Sequence, residues 1–459
     1  MKPFDIRGFN MCESLLRHTP EQLRTFFRRM KKLNMNTVII HYDYGFKRFK
    51  DIILEECGAA GINIILMTFG PRTFFSYTDW KPQWFAKKAD GSNFTEKLEC
   101  ETYPCCFEKE ALEAFEYGAK AWLKDLPVQI KNIHMRAADG LDFCQCQKCR
   151  ALPEEERWQP FVEIFSRAVQ EIRPDLEFET DIYVRRYRIP LNRKPFADMD
   201  QIMYDTFYRN IYYPLSSRND SESSYLLEYA DNSVSKTSAV TIGDYHLRRI
   251  SEWANSFPAK VYIHENAMLQ GYYGVYTGAD WTYLQDLKLY RQLGIRGVCY
   301  EAYEPGYCNF AGMFETLAGA LNGMEIELEM PEMIAHIQRE HKSYLDDPDF
   351  PAEKYISDPE TLQHIKLYQR RWEDGPDIFR EFMDFALERR EKMDWIHIGY
   401  SQAKFGLCLN KLKYRRLSPE AEEFVSSRKL WDFMEKIPLN ENPHQVCLDI
   451  FEELLQKVY

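Results

Sequence analysis

Residues 36–69 read NTVIIHYDYGFKRFKDIILEECGAAGINIILMTF. Two short runs, 36–43 and 63–69, are rich in Val, Ile and Thr and suit strands. Between them, 49–60 carries apolar residues at helical spacing. It ends before Gly61, a residue that tolerates the left-handed turn closing a helix. A helix, not a tight turn, joins the two strands, so they run parallel. Such a unit cannot cover its own sheet faces and needs further units beside it.

The same alternation continues on both sides. Strands are expected over 5–11, 130–135, 176–184, 201–207, 260–265 and 296–301 in addition to the first two. Helices are expected over 19–33, 109–124, 154–172, 245–256, 280–293 and 310–321. Thr19 and Pro20 are the N-cap and first-turn residues of the first helix. Pro174 ends the third of these six, and Gly294 closes the fifth. Residues 70–103 form a long aromatic-rich insertion, and 208–240 reads as a mostly polar loop. No helix is evident between the fifth and sixth strands. Eight strands in about 320 residues is the pattern of an α/β chain folded as a (β/α)8 TIM barrel. The barrel is expected over 1–323. Residues 324–459 have almost no strand signal and are expected to form an all-helical C-terminal domain. Its helices include 376–392 and 419–436, each opening with a proline.

Composition narrows the function. The chain has 459 residues and a net charge of −12, which disfavours a nucleic-acid partner. Its apolar runs are far shorter than the roughly 20 residues of a membrane span. The N-terminus, MKPFDIRGFN, lacks the apolar core of a secretory signal, so the expected location is cytoplasmic unless a leader has been removed. Twelve cysteines in a chain of this length do not make a disulfide scaffold. No G-x-G-x-x-G or P-loop motif occurs, so no organic cofactor is expected.

Active sites of such barrels lie at the C-terminal ends of the strands. Those ends carry His41, Asp43, Arg136, Asp139, Asp181, Tyr183, Tyr204, Asp205, His264, Glu265, Asn266, Tyr300, Glu301 and Glu304. Carboxylates among aromatics suit glycoside hydrolysis, in which one carboxyl protonates the leaving oxygen and another attacks or activates water. Glu265 and Glu301 close adjacent strands, which lie about 4.8 Å apart. That proximity favours the short carboxyl separation of a retaining enzyme. They form the expected catalytic pair, with Asp139 as the reserve acid. Expected sugar contacts are His41, Asp43, Asp181, Tyr183, Tyr204, Asp205, Trp281 and Tyr300.

The segment 137–150, AADGLDFCQCQKCR, follows the fourth strand. Cys144, Cys146 and Cys149 have spacing suited to one tetrahedral zinc, and Cys105 is a candidate fourth ligand, with Cys100 and Cys106 as alternatives. A closed four-cysteine site would be structural. Buried thiols without metal remain the alternative.

Several segments resemble one bacterial family of glycosidase-like barrels, long filed as a domain of unknown function. It is related to endo-β-N-acetylglucosaminidases of complex N-glycans. Residues 139–152, DGLDFCQCQKCRAL, resemble its D-G-x-x-W-C-x-C-x-x-C-R-A-L signature, with Phe143 in place of Trp. YPCCFEKE at 103–110, Tyr208 and Arg209, KVYIHE at 260–265 and DLKLYRQLGIRGVCYE at 286–301 follow in matching order. The likeness is firm over 103–323. It implies a glycosidase barrel, functional positions at Glu265 and Glu301, and a scaffold role for the thiols. The lack of an evident signal favours imported oligosaccharides or glycosides over extracellular N-glycans. The function expected is therefore a glycoside hydrolase acting on a carbohydrate, a β-N-acetylglucosaminide being one option. An N-acetyl sugar could supply its own nucleophile. The alternatives are a carbohydrate-binding barrel without catalysis and a metal-dependent hydrolase.

Overall fold

The computed structural model describes residues 1–12, 15–16, 18–98, 102–139, 143–207, 209–217, 231, 240–266, 279–301, 307–341, 349–355 and 427–443, with scattered positions besides. Its strands are β1 (Ile6–Met11), β2 (Thr37–His41), β3 (Asn63–Thr68), β4 (Asn132–Met135), β5 (Glu177–Ile182), β6 (Ile202–Asp205), β7 (Val261–Glu265) and β8 (Gly297–Glu301). All pair in parallel with their sequence neighbours, and β8 returns to β1 to close the barrel. Each strand begins and ends within two residues of its expected bounds.

Local chemistry sets the helix ends. Helix Pro20–Lys32 has a full capping box, in which the Thr19 hydroxyl accepts from the Gln22 amide and the Gln22 side chain accepts from the Thr19 amide. Helix Lys47–Ala60 stops at Gly61, whose φ of 68° would strain any residue with a Cβ. The expected helix 154–172 is two helices, Glu154–Arg157 and Gln159–Ile172. Pro160 explains the break, because it lacks an amide proton and its ring crowds the carbonyl four residues back. A five-residue helix, Lys194–Asp198, fills the expected gap between β5 and β6.

Strand residues divide between two apolar layers. Phe9, Val38, Ile40, Ile64, Leu66, Ile133, Phe178, Ile202, Tyr204, Val261, Ile263, Val298 and Tyr300 join the outer layer against the helices. Ile6, Ile39, Ile65, Met67, Met203, Tyr262 and Cys299 form a separate inner cluster. Gly8 and Gly297 sit where β1 meets its neighbours. A Cβ at Gly297 would run into the Ile6 carbonyl, and one at Gly8 would meet the Thr37 carbonyl and the Cys299 sulfur.

Beyond residue 323, the described helices are Glu332–Glu340, Ala352–Tyr355 and Ser427–Met434. The expected helix 376–392 lies outside the described residues. Two of these segments touch loops at the C-terminal ends of the strands. Glu435 accepts from the Gly45 amide at 3.2 Å, and Tyr213 donates to the Gln338 carbonyl at 3.1 Å. Among the described residues, no helix is long and apolar enough to cross a membrane.

Candidate active site at the barrel mouth

Side chains alternate along a strand, so the inner cluster identifies the other residues that face inward. At the C-terminal ends these are Asn10, His41, Asp181, Asp205, His264 and Glu301, with Arg136 and Asn266 continuing β4 and β7. They make a ring of charged and amide groups above the inner apolar cluster. One step deeper, His134 Nδ1 lies 2.6 Å from Glu179 Oε1, which also accepts from the Tyr262 hydroxyl at 2.7 Å.

Hydrogen bonds tie the ring together. Asp205 accepts from Asn266 and from the Phe207 amide, at 2.8 and 2.9 Å, and its other oxygen lies 2.8 Å from His264 Nδ1. Burial alone would raise the Asp205 pKa. The His264 charge and hydrogen bond, then Arg136 and Asn266, outweigh it and hold the carboxyl below its ordinary value. Burial opposes charge on His264, yet Asp205, with Glu301 adding to it, lifts its pKa above the ordinary value. His41 goes the other way. Burial, then Arg136, His264 and His134, push it well below the ordinary value, so it is neutral.

Arg136 is the cation of the β4–β5 side. Its guanidinium donates to Asp139 at 3.3 Å, lies 3.8 Å from Asp181, and faces the Tyr183 ring at 4.6 Å. The Asp139 side chain is 37% exposed, whereas that of Asp181 is fully buried, so Asp139 is the carboxylate of this side that meets solvent. Glu301, 8% exposed, stands on β8, opposite β4 in the closed barrel.

Glu265 faces the other way. It pairs in register with outward-facing Tyr300, whereas inward-facing His264 pairs with Cys299. Behind the barrel, Glu265 accepts from Thr206, Arg209 and Tyr290 at 2.7, 2.9 and 2.5 Å. Arg209 also donates to Asp286 at 2.5 Å. Burial, reinforced by repulsion from Glu265 and opposed by Arg209, pushes Asp286 up to about 6. The expected Glu265–Glu301 pair is therefore not brought together, because strand alternation puts the two on opposite sides of the barrel wall. The adjacency argument for a retaining spacing goes with it.

Four expected sugar contacts also move. Tyr204 lies outside the barrel, 3.0 Å from His246 Nδ1, and Tyr300 packs outside against Tyr283. Trp281 is half-buried against the outer layer. Asp43 accepts from the Phe69 amide and the Thr73 hydroxyl, at 2.9 and 2.5 Å, and so anchors the loop after β3. His41, Asp181, Tyr183 and Asp205 do gather at the mouth, although His41 is wholly buried. Asn10 and the inward direction of His264 were missed. Counting alternation from inner Tyr262 finds His264. Asn10 carries no sequence signal of its own. Glu304, Tyr208 and Cys100 lie outside the described residues.

Cys105, Cys144, Cys146 and Cys149 converge, with all four sulfurs within 4.8 Å of one another. The Cys105 sulfur lies 3.9 Å from that of Cys146 and 3.7 Å from that of Cys149. Four thiolates at about 2.3 Å from one ion would lie about 3.8 Å apart, so the set fits a tetrahedral, thiophilic cation. Amides of Lys87 and Cys149 donate to Cys144 and Cys146, as suits thiolate ligands. The cluster ties the insertion before helix Lys109–Asp125 to the loop that carries Asp139.

Two outcomes follow. Glu265→Gln lowers unfolding stability by about 3 kcal/mol in urea titration, since it leaves Arg209 short of one charge partner. Unchanged stability with lost activity would contradict the scaffold role. Metal analysis gives about one divalent ion per chain, and chelation lowers the melting temperature. A metal-free chain whose melting ignores chelators would remove the metal site.

No protein-family model matches the chain, and no curated protein matches it. Similar solved structures include an endo-1,4-beta-mannanase from Rhizomucor miehei, at 11% identity over 70% of this chain and 96% of that one, with a TM-score of 0.43. A chitobiase from Flavobacterium johnsoniae is similar at 9% identity over 95% and 78%, with a TM-score of 0.44. A beta-galactosidase from the psychrophilic Marinomonas ef1 is similar at 9% over 84% and 68%, with a TM-score of 0.45. Likeness at this level says nothing of the site, and the barrel itself is established by its strand pairing.

Proposed function

We propose that the barrel mouth hydrolyses a glycosidic bond, with Glu301 and Asp139 as its carboxylate pair. The observation that carries this reading is the inner ring itself. Glu301 from β8 and solvent-reaching Asp139 after β4 stand on opposite sides of a mouth lined by Arg136, Asp181, Tyr183 and Asn266. A sugar bound between them would meet carboxyls from two sides, as glycoside hydrolysis requires.

The roles follow from the surroundings. Glu301 is near enough to His264 to help lift that ring's pKa, and the same attraction favours the Glu301 carboxylate whenever the ring is protonated, which suits it to attack the anomeric carbon or to take a proton from water. Asp139 is the acid. As the carbon–oxygen bond breaks, its proton passes to the leaving oxygen, and Arg136 is within hydrogen-bond reach of the carboxylate that remains. Asp181 shares Arg136 and keeps the cation from being wholly committed to Asp139. The resemblance of 103–323 to the endo-β-N-acetylglucosaminidase-related family supports an N-acetylglucosamine-containing glycan as substrate.

The ion that best suits the thiol cluster is zinc. Four cysteines leave no coordination position open, so zinc there would hold the Asp139 loop and not activate water.

A panel of aryl glycosides and N-glycans tests the proposal. At least one is cleaved, and Glu301→Gln lowers kcat/KM on it by about 10³-fold or more. Asp139→Asn costs most on poor leaving groups and least on nitrophenyl ones, which need little protonation. Near-normal turnover by Glu301→Gln on every cleaved glycoside would sink the assignment. Glycan binding by calorimetry with no product would favour a binding barrel instead.

A further inference from the structure

Arg186 has no part in the chemistry just described. It lies just beyond β5 and is 4% exposed, and its Nε, Nη1 and Nη2 have no hydrogen-bond partner among the described residues. A buried guanidinium that donates nothing is costly, because it has given up water and gained no acceptor. The chain folds tightly to put it there. The Arg186 amide donates to the Tyr183 carbonyl at 3.0 Å, and Arg185 takes a φ of 63°, a left-handed conformation that strains a residue with a Cβ.

Arg186 shares Asp181 with Arg136. Its Nη1 is 3.6 Å from Asp181 Oδ1, and Arg136 Nε is 3.8 Å from Asp181 Oδ2. Both separations are too long for hydrogen bonds. Arg136 Nε and Asp181 Oδ2 likewise have no partner among the described residues, while Asp181 Oδ1 accepts from the Ala137 amide at 3.4 Å. Two guanidiniums thus lack acceptors, and the carboxylate they share lacks a donor. The group adjoins the open part of the mouth. Arg136 donates to Asp139, which meets solvent, and Tyr103, whose hydroxyl donates to the Ala138 carbonyl at 2.7 Å, feels the charge of both arginines.

An occupant that suits these three side chains brings an acceptor for two cations and a donor for one carboxylate. A small inorganic anion serves the arginines but leaves Asp181 Oδ2 without a donor and is repelled by it. A neutral sugar brings hydroxyl donors for Asp181 but no charge for the guanidiniums. A sugar that carries a carboxylate brings both. Its planar carboxylate matches the fork of a guanidinium, and a ring hydroxyl can donate to Asp181.

We propose that Arg186 and Arg136, with Asp181, form a subsite for a uronic acid in the glycan that enters the mouth. The inference rests on the function proposed above and narrows its substrate to an acidic glycan. The arginines take the carboxylate of the uronic acid, and Asp181 takes a hydroxyl of the same ring.

Ligand-observed NMR titration of the full chain with D-glucuronate, D-galacturonate, D-glucose and D-glucose 6-phosphate tests this without turnover. At least one uronate binds about ten-fold or more tightly than glucose, and more tightly than the phosphate ester. Raising NaCl from about 20 to about 500 mM weakens the uronate and leaves glucose unmoved. Arg186→Gln weakens the uronate by about ten-fold or more, and Arg186→Lys, which keeps the charge without the fork, restores only part of the loss. Uronates that bind no more tightly than glucose, a preference for the phosphate ester, or an Arg186→Gln variant with undiminished uronate affinity overturns the proposal. If Arg186→Gln does not fold, the ranking of the four sugars by the unmodified protein decides. The assay reads binding alone, so loss of the glycosidase reading would appear separately, as unchanged turnover of Glu301→Gln.

Discussion

Closure of eight parallel strands allots alternate residues of each strand to the interior and the rest to the layer under the helices. Everything at the mouth depends on that division. On β7 it separates His264 from Glu265, neighbours in sequence that end up on opposite sides of the wall. On β8 it sends Glu301 inward and Tyr300 outward. The narrow β1–β8 seam, where Gly8 and Gly297 leave no room for a Cβ, brings Asn10 beside Glu301.

Two buried charge systems result, and they do different work. Outside the wall, Glu265, Arg209 and Asp286 join β7, the segment after β6 and helix Asp280–Gln292. Buried ions are costly to desolvate, and these are kept by hydrogen bonds from Thr206, Tyr290 and the Leu215 amide. Inside the wall, Arg136 and His264 sit among Asp139, Asp181, Asp205 and Glu301. There the carboxylates are not all saturated by internal partners, and Asp139 reaches solvent. The outer system fastens the frame, and the inner one faces whatever enters the mouth. The thiol cluster brings the insertion after β3 up against the segment that follows Asp139, and an ion held by its four sulfurs would tie the two together.

Much of the frame was legible in the sequence. Helical spacing, the Thr19–Pro20 start and the Gly61 stop marked the first units, and eight β-rich runs gave the barrel. The convergence of Cys105 with Cys144, Cys146 and Cys149 was legible from spacing and chain order. The direction of Glu265 was not. A strand of a parallel barrel is covered on both faces, so VYIHE and VCYE are apolar throughout and show no period to reveal which face is inward. Glu265 and Glu301 looked equivalent because each closes such a run. Only a reference inside the barrel, such as Tyr262 or Cys299, breaks the tie. Asn10 was hidden for another reason: its partners His41 and His264 lie 31 and 254 residues away.

The central claim is that the Glu301 carboxylate takes part directly in bond cleavage at the mouth. Azide rescue reads this most directly. Glu301→Ala, given an activated aryl glycoside that the unaltered protein cleaves, regains turnover as sodium azide fills the space of the missing carboxylate, and NMR identifies a glycosyl azide product. A folded Glu301→Ala that hydrolyses the glycoside as fast as the unaltered protein, with no response to azide, would contradict the claim.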